Sequence, residues 1–553
     1  MRVFSFLIPS AVILAVAGIV MWAVRSPASR TAPPVLDRPQ DDVADVTAQV
    51  NRHFERLWDE KNLTPAETAD DLQILRRISL ALHGTIPSLE EIRSFEADNG
   101  EHRLHRWTAG MLDDNRFADY FAERLARSYV GTDGGQFIVY RRDRFVQWLA
   151  EELKHNHPYD EIVRQIITQR GLWTGQPATN FVTATVIEGD VDENKLAGRC
   201  VRAFLGQRID CAQCHDHPFA EWKQGQFEGL AAYFAHTRLS VFGLEDRATD
   251  GDKQVEYIII DRDTQEKRVV APDVPFHPEW LSQTGSRREQ LAAWITHPKN
   301  RRFERAIVNR VWGLMFGRPY IDPVDDLPNP GNPNKPDLLD ILGKDFREHG
   351  CDLRRLILVI AASQPFRLDS RSPQDQDVET SEERMIADET IDRLTSNWAV
   401  FQLTRLRPEQ VIGAMLQAGS IKTIDRNSHL IVRSIRFLRE NDFIKEYGDL
   451  GEDELDKHAG TIPQALLRMN GNLSNEIGSA NPFSTTGRIL AVAKDDETCL
   501  ETCFLICATR RPTPEQQDYF LDQLQGTSGE KRKQVVEDIM WSLFNSEAFS
   551  WNH

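Results

Sequence analysis

The chain has little cysteine, little positive charge and, beyond its first 25 residues, no long apolar run. Seven cysteines in 553 residues exclude a disulfide-stapled scaffold, which concentrates cysteine in a short chain. Lys and Arg number 66 against 84 Asp and Glu, a net charge of −18. That balance argues against nucleic acid or an anionic lipid surface as the main partner, since both require a basic face. G-x-S-x-G, H-E-x-x-H and a glycine-rich phosphate loop are all missing, which removes the usual hydrolase and nucleotide-binding signatures.

What is present is concentrated in one place. Cys211-Ala212-Gln213-Cys214-His215-Asp216-His217-Pro218 contains the Cys-x-x-Cys-His spacing of covalent c-type haem attachment. Two thiols on one turn can each form a thioether to a haem vinyl group. The adjacent histidine is then placed to reach the iron. In a chain with this cysteine and histidine content, about 0.002 such matches arise by chance. Haem c, held by Cys211 and Cys214 with His215 as iron ligand, is therefore the leading expectation. The alternative is a mononuclear zinc or iron site built from Cys211, Cys214, His215 and His217. A redox or structural disulfide, or no cofactor, is the third reading, although no strand–turn–helix pattern of thioredoxin type surrounds the motif. For a sixth iron ligand His236 is the better candidate and Met315 the weaker. His217, two residues from His215, is too close to reach the opposite face of the same iron.

Other polar clusters have plainer readings. Asp190, Asp192 and Glu193 precede a helix and suit its positive end, with extra metal ligands as the alternative. Asp322, Asp325 and Asp326 follow Asn309 and Arg310 and suit turn backbones, with a cation or ligand site as the alternative. Cys499, Cys503 and Cys507 recur every four residues, one face of a helix, where thiols pack as small apolar groups. Trp222, Trp312 and Phe316 are expected in the core.

At the amino-terminal end, Arg2 precedes an uncharged run from Val3 to Val24, closed by Arg25. As a helix this run covers about 33 Å, enough to span a bilayer. It is longer than a signal-peptide core and offers no A-x-A at its end. An uncleaved membrane anchor over 1–25 is therefore expected over a cleaved signal. Residues 26–45, with six Pro and Ser in the first fourteen, form an extended linker.

The body reads as mainly α: two helical domains, 46–240 and 285–553, joined by a small β-hairpin segment at 241–284. Ser88 with Glu91, and Thr513 with Pro514 and Gln516, are capping boxes. Asp160 is expected to cap the helix carrying Ile162, Val163, Ile166 and Ile167. Val255–Ile260 and 268–270 form the hairpin. The two capped segments echo each other, either as similar helical hairpins or as a duplication.

Several blocks carry a resemblance. Leu75-Arg76-Arg77-Ile78-Ser79-Leu80-Ala81-Leu82-His83-Gly84-Thr85-Ile86-Pro87, Pro158-Tyr159-Asp160-Glu161-Ile162-Val163 and the Cys211–Phe219 motif lie in the first half. Ile307-Val308-Asn309-Arg310-Val311-Trp312, Pro323-Val324-Asp325-Asp326, Glu348-His349-Gly350-Cys351-Asp352-Leu353 and Arg405-Leu406-Arg407-Pro408-Glu409-Gln410 lie in the second. Together they resemble the exported planctomycete pair of a cytochrome-C-like PSCyt domain followed by a PSD domain, a pair of unknown function. The resemblance implies an exported or envelope-attached protein linked to c-type cytochromes. This chain has no second Cys-x-x-Cys-His, so the separate haem domain that many members carry ahead of the pair is missing.

The expected function is thus an envelope-located, haem- or metal-binding redox or electron-transfer component, with the membrane and redox or envelope proteins as partners. A non-catalytic scaffold with a structural Cys/His metal site is the alternative from another class. A metal-dependent hydrolase is a further one.

Overall fold

The structure, a computed structural model, describes residues 41–553 apart from 133–138, 217–220, 251–252, 261–264, 372–380, 426–442, 445, 452–454, 456–460, 472–476 and 482–483. Helices dominate, and the sheets among the described residues are five two-stranded antiparallel pairs. Helix Asp41–Lys61 shows why: Val43, Val46, Val50, Phe54 and Trp58 recur every three or four residues and all are buried. That spacing lines one face of a helix with 3.6 residues per turn.

Helix Arg301–Phe316 lies at the centre, buried on every side from Phe303 onward. Its Trp312 stacks on Phe316 at 4.4 Å and on Phe54 at 5.9 Å, so Trp312 and Phe316 are core residues as expected. A helix this enclosed must neutralise its charges internally. Arg305 pairs with Asp337 at 2.7 Å and with Asp340 at 2.8 Å, and Glu304 pairs with Arg347.

The apolar interior forms two cores. One takes residues from Val43 to Phe401, with Leu455 and Leu505. The other takes residues from Leu406 to Phe549, with Leu80 and Ile86. The core therefore does not divide at 241–284. Helix Arg301–Phe316 packs directly on helix Glu193–Leu205, so both sides of the hairpin share one interior. The local change in composition there marks a change of secondary structure and not a gap in packing.

The seam between the cores is helix Asp71–His83 and the turn after it. Gly84 ends this helix in the left-handed region at φ 64°, a conformation that costs a side chain energy and glycine little. Thr85 Oγ1 then donates to Gly413 O at 2.8 Å. A Cβ on Gly413 would stand 2.5 Å from Gly84 O, so helix Pro408–Ala418 reaches the turn only because that position is glycine. Gln410 Nε2 donates to Leu80 O at 3.0 Å.

An ion cluster lies beside this seam. Glu409, buried, accepts from Arg124 Nη1 at 3.1 Å and from Arg127 Nη2 at 2.9 Å. Both arginines sit on helix Asn115–Val130, on the far side of the seam. Burial pushes the Glu409 carboxyl up, but the charges of Arg124 and Arg127 outweigh it and hold the group at about 2.

The local predictions fare well where a few residues decide them. Both capping boxes form. The hairpin pairs Tyr257–Ile260 with Lys267–Val270, Tyr257 opposite Val270. Asp160 is corrected: the helix begins at Tyr159 after Pro158, whose side chain cannot cap. Asp160 sits inside the first turn and pairs with Arg164 at 2.9 Å. The fold class is corrected as well. The described chain is mainly helical, but no described helix is long and apolar enough to cross a membrane. The span expected at 1–25 lies outside the described residues.

Glu409→Gln is expected to cost about 3–5 kcal/mol in urea unfolding at neutral pH, because buried Arg124 loses a carboxylate partner, whereas Arg127 keeps Glu123 and Asp449. The pH dependence follows from the depressed carboxyl. The unfolded chain binds its proton near the ordinary value of 4.5, the folded one only near about 2. The stabilisation is therefore complete above 4.5 and lost as pH falls toward about 2, and the variant should lack this acid-side slope.

Candidate functional site

The Cys-x-x-Cys-His motif follows helix Glu193–Leu205. Asp192 caps that helix, accepting from Lys195 N at 2.9 Å, and Glu193 pairs with Arg238 at 3.3 Å. Asp190 lies in the short strand before it. Asp192 thus serves the helix start and Glu193 opens its first turn. Gly206 ends the helix at φ 62°, and a Cβ there would stand 3.1 Å from both Ala306 and Leu327. The chain thus leaves the helix wedged against the second half of the protein.

The next residues are fastened there. Gly206 O accepts from Leu327 N at 2.7 Å, and Gln207 Nε2 donates to Leu327 O at 3.0 Å. Arg208 Nε donates to Asp325 Oδ1 at 2.7 Å. Asn309 holds the same loop, donating to Ile321 O at 2.8 Å and accepting from Ile321 N at 2.9 Å. Asn309 therefore satisfies turn backbones as expected, whereas Asp325 holds the motif through its ion pair with Arg208.

Asp210–Gln213 form a 3₁₀ turn. Ile209 and Ala212 are fully buried and root it, whereas Cys211 and Cys214 are exposed. A 3₁₀ turn has three residues per turn, so positions three apart eclipse one another. Cys211 and Cys214 accordingly share one outward face, with Cys214 N donating to Cys211 O at 3.3 Å. They are free thiols.

His215 is exposed and adjoins them. Its Nδ1 lies 2.7 Å from Asp216 O. A carbonyl oxygen can only accept, so Nδ1 carries the proton and Nε2 keeps its lone pair for a metal. Asp216 is fixed in turn: it accepts from Gln224 N at 3.0 Å and pairs with Lys223 Nζ at 3.1 Å. The Gln224 backbone bond first, then Lys223, lower its pKa.

The other candidate ligands are elsewhere. Asp216 ties the motif to the start of helix Gln224–Ala232, and His236 lies past the end of that helix. About 13 Å of helix lies between them, and no group of three metal-ligating side chains containing His236 forms among the described residues. Burial, then Arg287, lowers the His236 pKa. Met315 is buried in the central helix. His217 lies outside the described residues. Among the described residues no three His, Cys, Asp or Glu side chains gather as a metal-ligating group. Cys499, Cys503 and Cys507 are buried in the second core, as their spacing predicts, and Trp222 is likewise buried.

Sequence reasoning missed a cavity of about 420 Å³ lined by Arg318, Gln402, Arg405, Arg407, Tyr447 and Asn552, among others. Its one sequence signal is the arginine-rich block 405–410.

Residues 49–239 match the family PSCyt2, protein of unknown function DUF1549. Residues 287–524 match PSD1, protein of unknown function DUF1553. No curated protein and no solved structure is significantly similar to the chain.

In cofactor-free folded protein, Cys211 and Cys214 should alkylate rapidly. Cys200, Cys499, Cys503 and Cys507, all buried, should react only after unfolding. Peptide mass spectrometry after a timed iodoacetamide pulse checks this.

Proposed function

We propose, for a chain that belongs to the family joining a PSCyt2 domain to a PSD1 domain, that it is a redox or electron-transfer protein carrying covalently attached haem c. The observation that carries this reading is the arrangement of Cys211, Cys214 and His215. Both thiols are exposed on one face of the 3₁₀ turn, where each can form a thioether without moving the buried base of Ile209 and Ala212. His215 Nδ1 is committed to Asp216 O, which leaves Nε2 as the iron ligand. When bound, the haem supplies one-electron chemistry, its potential set by axial ligation, burial and hydrogen bonding. The chain's own part is to hold two thiols and one imidazole in register on a rigid support. Haem of this kind is attached outside the cytoplasm, so on this reading the protein works in the periplasm or envelope.

The same three donors favour a second reading. Two thiolates and one imidazole nitrogen suit zinc or iron, with a fourth ligand completing a structural clamp. The protein would then be a scaffold, not a redox component.

Protein made in a host with haem-attachment machinery should keep its haem through denaturation in a pyridine haemochrome assay. Cys211→Ala/Cys214→Ala should abolish it. His215→Ala should keep the covalent bond but alter the visible spectrum and the midpoint potential. A colourless protein with equimolar zinc or iron, unfolding on chelation, would replace this reading with the clamp.

A further inference from the structure

Two histidines that the motif does not use stand side by side at the end of one helix. Helix Arg142–Lys154 is followed by His155, Asn156 and His157, and then by Pro158. Residues two apart on a continuing helix do not face each other. Here the helix does not continue, because Asn156 takes the left-handed conformation at φ 52°, which Asn adopts far more readily than most side chains. The chain folds back on the last turn: His155 N donates to Glu151 O and His157 N to Glu152 O, each at 3.1 Å. The two imidazoles are thereby brought together, with ring centroids 5.7 Å apart and planes within 21°. Both residues are exposed.

Hydrogen bonds fix which nitrogen of each ring is free. His155 Nδ1 lies 2.8 Å from Glu151 O, and His157 Nδ1 contacts the Glu152 carboxylate. Carbonyl and carboxylate oxygens accept, so both Nδ1 atoms carry the proton and both Nε2 atoms keep a lone pair in the neutral ring. Metal-binding histidines are held in the same way, by a carbonyl or carboxylate on the nitrogen that does not ligate. Both Nδ1 atoms face the one turn that carries Glu151 and Glu152, so the near-parallel rings present both Nε2 atoms away from it. The spacing also fits. With a Zn–N bond of about 2.0–2.1 Å, two imidazoles on one tetrahedral ion have centroids roughly 5 Å apart, a small side-chain rotation from the 5.7 Å observed. Among the described residues no carboxylate or thiol joins the pair as a group of three, which leaves the other positions to water. Imidazole nitrogens select zinc, copper or nickel over magnesium and calcium.

We infer that His155 and His157 form a surface site for a divalent transition metal ion, bound through both Nε2 atoms with water in the open positions. Glu152 and the Glu151 carbonyl hold the two rings for it. The site uses none of the motif residues and stands apart from the redox reading.

Isothermal titration of the full chain with Zn²⁺ tests it, in the Cys211→Ala/Cys214→Ala background so that the motif thiols take up no zinc. One equivalent should bind with Kd below ~0.1 mM, and excess Mg²⁺ should not displace it. His155→Ala and His157→Ala should each weaken that equivalent on the order of tenfold or more, with thermal unfolding of the metal-free chain unchanged because both side chains are exposed. Glu152→Ala removes no ligand but should weaken zinc roughly tenfold by releasing the His157 ring. Asn156→Gly should keep the site and Asn156→Val should lose it, since a β-branched residue resists positive φ. No equivalent tighter than ~0.1 mM, an affinity unchanged in either single histidine variant, or displacement by Mg²⁺ would each overturn it.

Discussion

Two neighbouring guanidinium groups, Arg76 and Arg77, lie inside the protein, and the arrangement of both cores follows from what they require. Burial lowers them to about 10 and about 9, so both remain cationic at neutral pH. A buried cation must be given fixed acceptors. Arg76 finds Cys507 O at 3.2 Å and Phe549 O at 3.0 Å, in the second core. Arg77 finds Phe366 O at 2.9 Å and Leu368 O at 2.7 Å, in the first, and rests on the ring of Phe401. Consecutive helical residues point about 100° apart, so one helix can address two interiors. Helix Asp71–His83 is that shared wall, and Glu409 with Arg124 and Arg127 closes the same seam from the other side.

The motif depends on this frame indirectly. Its base is held by Leu327, Asp325 and Asn309, residues of the PSD1-matched region, while its thiols belong to the PSCyt2-matched region. The two matched regions are thus mechanically one unit at the site. Loosening the loop at 321–327 would move Cys211 and Cys214 without touching either. The rigid support and the exposed thiols are complementary: the support fixes position, the exposure leaves the sulfur atoms free to react.

How much of this is legible in the sequence depends on the range of the interaction. Ser88 with Glu91 and Thr513 with Gln516 are legible because each cap is decided within four residues. The hairpin at 257–270 is legible because two short runs rich in β-branched residues flank a polar stretch. Asp160 misleads because an acid near a helix start serves equally as a cap or as a first-turn partner for Arg164. The motif is legible by spacing, but its outward face needs the 3₁₀ turn and the burial of Ala212. The division of the core near residue 403 is not legible, since no local pattern shows that residues 80 and 86 pack with residues 406–549. The cavity is not legible for the same reason, its walls coming from segments as far apart as Ala81 and Asn552.

The partners of Arg76 also govern the order in which the chain can assemble. They lie 431 and 473 residues further along. Contacts of such sequence separation pay their loop-closure entropy before they return any stabilisation, and chains rich in them fold slowly. During synthesis helix Asp71–His83 emerges early, yet the carbonyls that let Arg76 leave water come much later. Until then the side of the helix that carries Leu80 lacks its second-core partners and stays open to other chains. Contacts of this span therefore form late in folding, and dependence on chaperones should exceed that of proteins of equal size whose helices pack with their immediate neighbours.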